Sequence, residues 1–151
     1  MRYLLDSDIL SDLYEQTSPD HQVVFRRFET LEEDDDLAVS ILALYELEYG
    51  YANSFEGRKP SLRRRIENVR SRFTIYGLSD DSARMFGQIK KALVELRGLS
   101  KKASRYHNID LMVAATAVTK SCILVGADSL FRDLQRFEPG LIVQNWRVEA
   151  P

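Results

Sequence analysis

Residues 3–10, Tyr3-Leu4-Leu5-Asp6-Ser7-Asp8-Ile9-Leu10, decide the fold. Three positions run apolar and stop at an acid, after which Ile9, Leu10 and Leu13 recur at helical spacing, so a buried strand feeds a helix. The pattern returns downstream. Leu37-Ala38-Val39 reads as a second strand, Ser40 as an N-cap, and Ile41, Leu44, Tyr45, Leu47 and Tyr49 as the face of a helix before Gly50. Phe73-Thr74-Ile75-Tyr76 reads as a third strand, and Ser79-Asp80-Asp81 opens a helix with Ala83, Phe86, Ile89, Leu93 and Leu96 that stops at Gly98. Asn108 is expected to cap a helix rich in Ala and Val, and Ile123-Leu124-Val125 and Leu141-Ile142-Val143 supply two more strands. Continuously apolar strands alternating with helices must be covered on both faces. The expected fold class is therefore α/β, a three-layer α/β/α sandwich around a central parallel sheet. At 151 residues and 44% hydrophobic content the chain can fill one core, and residues 1–151 are read as a single domain without repeats or low-complexity linkers.

No stretch approaches the roughly 18 apolar residues of a membrane span, and no cleaved leader is read at the start. With one cysteine, Cys122, neither an internal disulfide nor a cysteine-built zinc cage can form, which fits a reducing cytoplasm. Cys122 precedes Ile123-Leu124-Val125 and reads as a small buried apolar residue. The net charge of −2 hides a polarity: residues 55–106 carry fourteen Lys/Arg against five Asp/Glu, and the remainder seven against eighteen. A basic stretch of that size can attract a polyanion, and Arg63, Arg64 and Arg65 are its densest candidates for RNA contact; an ordinary solvated helix face is the competing explanation. The run Glu32-Glu33-Asp34-Asp35-Asp36 reads as a solvated turn.

Ligands of open parallel sheets bind beyond the carboxyl ends of the strands, and acids recur there. Asp6 follows the first strand, Asp128 lies three residues after Val125, Asp110 falls in the first turn of its helix, and Glu46 lies about two turns into the helix after strand two. Each alone reads equally well as a capping acid. Converging without Lys or His among them, they would repel unless a divalent cation intervened, and all-oxygen ligation suits Mg²⁺ or Mn²⁺. Such a site polarises phosphoryl oxygens and acidifies water, which is the chemistry of phosphodiester hydrolysis. The two histidines, His21 and His107, show no catalytic spacing; His107 reads as a capping-region residue.

These motifs resemble the PIN domains, and within them the toxins of VapC-type toxin–antitoxin pairs. Residues 3–10 look like the family's opening strand and first metal-binding aspartate. Ser40-Ile41-Leu42-Ala43-Leu44-Tyr45-Glu46-Leu47-Glu48-Tyr49-Gly50 looks like its second motif, which selects Glu46 over Glu48 by its distance from Gly50. Asp110-Leu111-Met112-Val113-Ala114-Ala115-Thr116-Ala117 is close to the third, and the segment from Ile123 through Asp128 to Phe131, with Gly140 to Trp146, resembles the closing strands. Two departures stand out. Asp8 occupies a position usually neutral, and Gly126 stands where many members place a threonine two residues before the fourth acid. The resemblance implies an endoribonuclease using Mg²⁺ or Mn²⁺, with Asp6, Glu46, Asp110 and Asp128 catalytic, and Asp6, Asp110 and Asp128 on the metal. Ser7 and Asp8 would support them. It further implies an RNA substrate, a cognate antitoxin that silences the site, and a homodimer. Two alternatives compete. Leu4-Leu5-Asp6-Ser7-Asp8 also suits a phosphatase of the haloacid-dehalogenase type with Asp6 as nucleophile, although Glu46 and Asp110 are then unexplained. A PIN-type RNA-processing nuclease without an antitoxin is the other.

Overall fold

The computed structural model describes residues 1–148. Its elements are, in order, β1 (Arg2–Leu5), α1 (Ser7–Tyr14), α2 (His21–Glu29), β2 (Asp36–Ser40), α3 (Ile41–Ala52), α4 (Lys59–Arg72), β3 (Thr74–Tyr76), α5 (Asp80–Arg97), α6 (Lys101–Arg105), α7 (Asn108–Thr119), β4 (Ile123–Val125), α8 (Ser129–Gln135) and β5 (Ile142–Gln144). The five strands form one sheet in the order β3-β2-β1-β4-β5. Every pairing is parallel, with Leu5 opposite Val39 on one side and Val125 on the other. The three-layer α/β/α arrangement expected from the strand pattern is the one observed.

Strand alternation sorts the core into two halves. Leu4, Ala38 and Leu124 face one side and pack with Ile89 and Leu93 of α5, the Ala-rich face of α7, and Leu130, Phe131 and Leu134 of α8. Tyr3, Leu5, Val39 and Val125 face the other and meet Ile9, Leu10 and Leu13 of α1, Val24 of α2, Ala43 and Leu44 of α3 and Val69 of α4. Trp146 is buried in that second half and closes against Tyr3, ring centroids 5.6 Å apart. Cys122 is buried, as its apolar context required.

Helix ends follow the chemistry of their caps. Ser40 accepts from the Leu42 amide, and Ser79 and Ser82 form a reciprocal capping box at the start of α5. Gly98 ends α5 at φ 61°, a left-handed conformation that costs a side-chain-bearing residue and not glycine. The expected cap at Asn108 is corrected: α7 starts one residue earlier, His107 is its N-cap, and the Asn108 Oδ1 accepts instead from Lys90 Nζ at 2.7 Å. The last strand likewise sits one residue later than its apolar run, with Leu141 buried just before it. Among the described residues no helix is long and apolar enough to cross a membrane.

Candidate active site

The sheet order turns on β1. Successive strands β1, β2 and β3 step one way, whereas β4 and β5 lie on the other side, so the crevice of the sheet opens between β1 and β4 at their carboxyl ends. Asp6 stands in that crevice. Its amide donates to the Val125 carbonyl at 2.9 Å, which extends the β1–β4 ladder by one residue and locks the backbone that carries the carboxylate. Asp128 lies just past β4 and caps α8, its Oδ1 accepting from the Leu130 amide at 2.7 Å. α7 precedes β4 and runs back to the start of that strand, which leaves its first turn, with Asp110, at the same carboxyl edge. α3 leaves that edge from β2 and carries Glu46 in its second turn. Four acids far apart in sequence thus meet because every element that bears one begins or ends at one rim.

The electrostatics register that meeting. Asp6 is 9% exposed, and its carboxyl is pushed up to about 7, first by burial and then by repulsion from Asp110, Asp8 and Glu46, against the lowering effect of the Ser7 amide. Asp110 is also raised, by burial and then by Asp128, with His107 opposing and Asp8 and Glu46 adding to the rise. Asp8, Glu46 and Asp128 are exposed. Among the described residues no three His, Cys, Asp or Glu side chains are gathered tightly enough to enclose an ion as they stand. The donor set, all carboxylate oxygen with no Lys or Arg among the groups acting on Asp6 or Asp110, fits a hard divalent cation.

Gly126 follows from packing. A Cβ built there would lie 2.5 Å from Phe131 Cε2 and 2.7 Å from Cδ2, with Asp6 Cβ at 3.6 Å. Phe131 is 0% exposed, so its ring cannot swing away. The ring fills the space a threonine would need. Gly126→Thr is therefore expected to cost about 1–3 kcal/mol in urea denaturation, the usual range for overpacking. Combining it with Phe131→Ala should cost less than the two single changes added together; strict additivity would show that the ring is not the obstacle.

The three arginines singled out as RNA contacts are placed differently from one another. Arg63 makes a two-pronged pair with Glu48 at 3.0 and 3.2 Å and lies over the Tyr51 ring at 4.1 Å. Arg65 donates to Glu15 Oε2 at 3.1 Å, and Arg58 reaches the same oxygen at 3.0 Å. Arg64 is exposed. Much of the positive charge of α4 is thus matched inside the protein, and Glu48, passed over in favour of Glu46, serves as its counter-ion. Sequence reasoning missed both partnerships, because fifteen and fifty residues separate the partners. A concavity of about 690 Å³ among Leu13, Tyr14, Phe25, Phe28 and Phe73 has no acid in its lining among the described residues. A smaller one of about 230 Å³ is lined by Ser7, Asp8, Glu46 and Arg65 and borders the acidic rim through Asp8 and Glu46.

Comparison with known proteins agrees with this fold. The PIN domain family model matches residues 3–136. The chain is 27% identical over 146 residues to Ribonuclease VapC2 of Rickettsia felis, covering 97% of this chain and 98% of that one. Its fold is similar to the crystal structure of VapBC2 from Rickettsia felis bound to a promoter DNA fragment, with TM-score 0.74, 24% identity, and 97% and 99% of the two chains covered. It is similar also to VapBC-1 from nontypeable Haemophilus influenzae, with TM-score 0.73, 21% identity and coverage of 98% and 100%. The matched stretch takes in Glu46 and Asp110, the two positions that a phosphatase of the haloacid-dehalogenase type left without a role. On the family match, with the sheet order and the rim of acids beside it, this chain belongs to the PIN-domain family.

Proposed function

We propose that the chain is a divalent-metal-dependent endoribonuclease, the toxin of a VapBC-type pair, acting in the cytoplasm as a homodimer until a cognate antitoxin blocks its site. The observation that carries this reading is the convergence of Asp6, Glu46, Asp110 and Asp128 on one sheet rim, with Asp6 buried and repelled by its neighbours. The similarity to Ribonuclease VapC2 and the VapBC complexes among the similar structures support it.

Asp6, Asp110 and Asp128 would hold Mg²⁺ or Mn²⁺, with Glu46 steadying the arrangement from α3 and Ser7 and Asp8 bordering it. When bound, such an ion supplies Lewis acidity to a phosphodiester and makes water a better nucleophile. The protein's own work is placement. Asp6 is fixed by the backbone bond to Val125 and by burial, so it is the rigid reference of the site. Asp128 has one oxygen held by the Leu130 amide, which fixes the carboxylate at the start of α8. Activation of a ribose 2′-hydroxyl by paired histidines lacks its second member here, because His21 sits away from the rim with Nδ1 donating to the Asp12 carbonyl at 2.8 Å. Water attack is then expected to leave 5′-phosphate and 3′-hydroxyl ends.

The test is cleavage of a mixed RNA pool by the purified protein with Mg²⁺, with Mn²⁺, and with EDTA. The expected result is cleavage with either metal, none with EDTA, and persistence of cutting when a 2′-deoxy residue precedes the mapped site. Undiminished cleavage in EDTA, or a 2′,3′-cyclic phosphate product, would overturn the mechanism.

A further inference from the structure

We propose that Arg65 anchors an RNA phosphate next to the one being cut, and that Glu15 holds Arg65 in place for it. The inference rests on the nuclease reading of the acidic rim and extends it to how substrate is held. Among the described residues Arg65 is the only cation lining the concavity of about 230 Å³ that also contains Ser7, Asp8, Ser11 and Glu46. That concavity therefore carries both signs of charge: the carboxylates of Asp8 and Glu46, which also act on Asp6, and the guanidinium that α4 contributes. A polyanion laid across it needs this arrangement: a cation-binding end for the reacting phosphate and a fixed positive group for its neighbour.

The setting of Arg65 is built rather than incidental. Its side chain is 17% exposed, against 39% for Arg63 and 54% for Arg70 on the same helix. It uses one terminal nitrogen on Glu15 Oε2 at 3.1 Å and lies 5.8 Å from the Tyr14 ring centroid. Among the described residues its other terminal nitrogen and its Nε make no protein hydrogen bond, so donors of the planar fork stay open to a phosphate. Glu15 also takes Arg58 at 3.0 Å, and two guanidinium groups on one carboxylate leave a net positive charge there even with the ion pair formed. By contrast Arg63 has both terminal nitrogens paired with Glu48, which fixes its fork on that carboxylate. Held at one end and open at the other, Arg65 pays little side-chain entropy when it meets a phosphate.

Binding and turnover are to be measured for Arg65→Gln, Glu15→Gln and, as an exposed neighbour, Arg64→Gln. The binding probe is a short mixed-sequence single-stranded DNA oligonucleotide, which carries the phosphates and is not expected to be cut. The turnover substrate is the RNA pool with Mn²⁺. Arg65→Gln is expected to weaken binding about tenfold and to reduce the salt slope by about 0.7, the contribution of one phosphate contact on a single strand. It should raise KM in proportion, with kcat within about twofold. Glu15→Gln should raise KM a few-fold with kcat unchanged, and Arg64→Gln, at an exposed position outside the concavity lining, should raise KM by clearly less than Arg65→Gln does. If Arg65→Gln fails to fold, Arg65→Lys keeps the charge beside Glu15 and loses the fork; a two- to fivefold weakening is then expected. Equal effects of the Arg64 and Arg65 changes, a loss in kcat with KM unchanged, or no wild-type binding to either nucleic acid would overturn the anchor. Binding that depends on Arg65 without any cleavage would overturn the nuclease reading and leave the anchor standing. Cleavage with KM indifferent to Arg65 would do the reverse.

Discussion

Replacing Asp6 by Asn is expected to lower RNA cleavage by at least about 100-fold and, in the metal-free protein, to raise resistance to urea at pH 8. Supporting groups around a metal already cost 10- to 100-fold when lost, and Asp6 is placed to touch the ion itself. The gain in stability has a separate origin. The Asp6 carboxyl is raised from 3.8 to about 7 by burial and by three neighbouring acids, so ionising it is harder in the folded chain than in the unfolded one. The folded state then holds its proton where the unfolded state releases it. The resulting penalty is absent below pH 3.8, grows as the pH climbs toward 7, and is complete above that. Asn has the same shape and no charge to desolvate. Wild type and Asp6→Asn should therefore converge in stability toward pH 4 and separate by on the order of 2–4 kcal/mol at pH 8. Adding Mn²⁺ should reverse the order, since an ion at one hundred times its Kd stabilises the protein that binds it by about 2.7 kcal/mol and the variant by far less. Parallel pH curves, or a variant less stable than wild type at pH 8 without metal, would show that the acids do not interact as the site requires. Unchanged cleavage would remove Asp6 from the site.

The acids were legible in the sequence because each sits within a few residues of an element end that hydrophobic patterning already marks. Strand, acid and helix follow one another in residues 3–10, and once a parallel sheet is inferred its carboxyl rim gathers whatever lies at such ends. Asp8 was visible for the same reason, and its repulsion of Asp6 is a direct outcome of its place in the first turn of the helix that Asp6 precedes as N-cap. Contacts between distant elements were not legible. Nothing local tells Arg65 from Arg63, yet one faces the concavity beside Glu46 and the other is spent on Glu48. Gly126 showed only as a departure from the family until the Phe131 ring was found in the space a side chain would take. The shift of the α7 cap from Asn108 to His107 is of the same kind: the Asn108 oxygen accepts from Lys90, eighteen residues away, and the His107 side chain makes no cap hydrogen bond.

Loss of the Arg147 side chain is expected to destabilise the protein by about 3 kcal/mol without disabling its chemistry. Asp12, on the α1 helix that also carries Asp8, is 6% exposed. Its Oδ1 accepts from the Ser18 hydroxyl at 2.6 Å and its Oδ2 from Arg147 Nε at 2.7 Å, with Asp20 a further 3.4 Å neighbour of the same nitrogen. The pair joins residues 135 apart, next to buried Trp146, and so fastens the end of the described chain onto α1. Removing one member of a buried ion pair typically costs 3–5 kcal/mol because the other charge stays behind, and the lower end applies since Arg147 is 29% exposed. For a chain of this length about 3 kcal/mol corresponds to a fall in melting temperature on the order of 6–12 °C. Asp12→Asn in the Arg147→Ala background should restore part of it, because the stranded charge is gone, and the pair should couple by about 1 kcal/mol or more in the double-mutant cycle. Below the transition, cleavage by Arg147→Ala is expected to stay within a few-fold of wild type, since Asp6 is held by β1 and β4 rather than by α1. A drop in melting temperature under 2 °C, or strictly additive changes, would mean that water already compensates Asp12. A loss of cleavage with the fold intact would mean that the tail sets the position of Asp8 and, through it, of the whole rim.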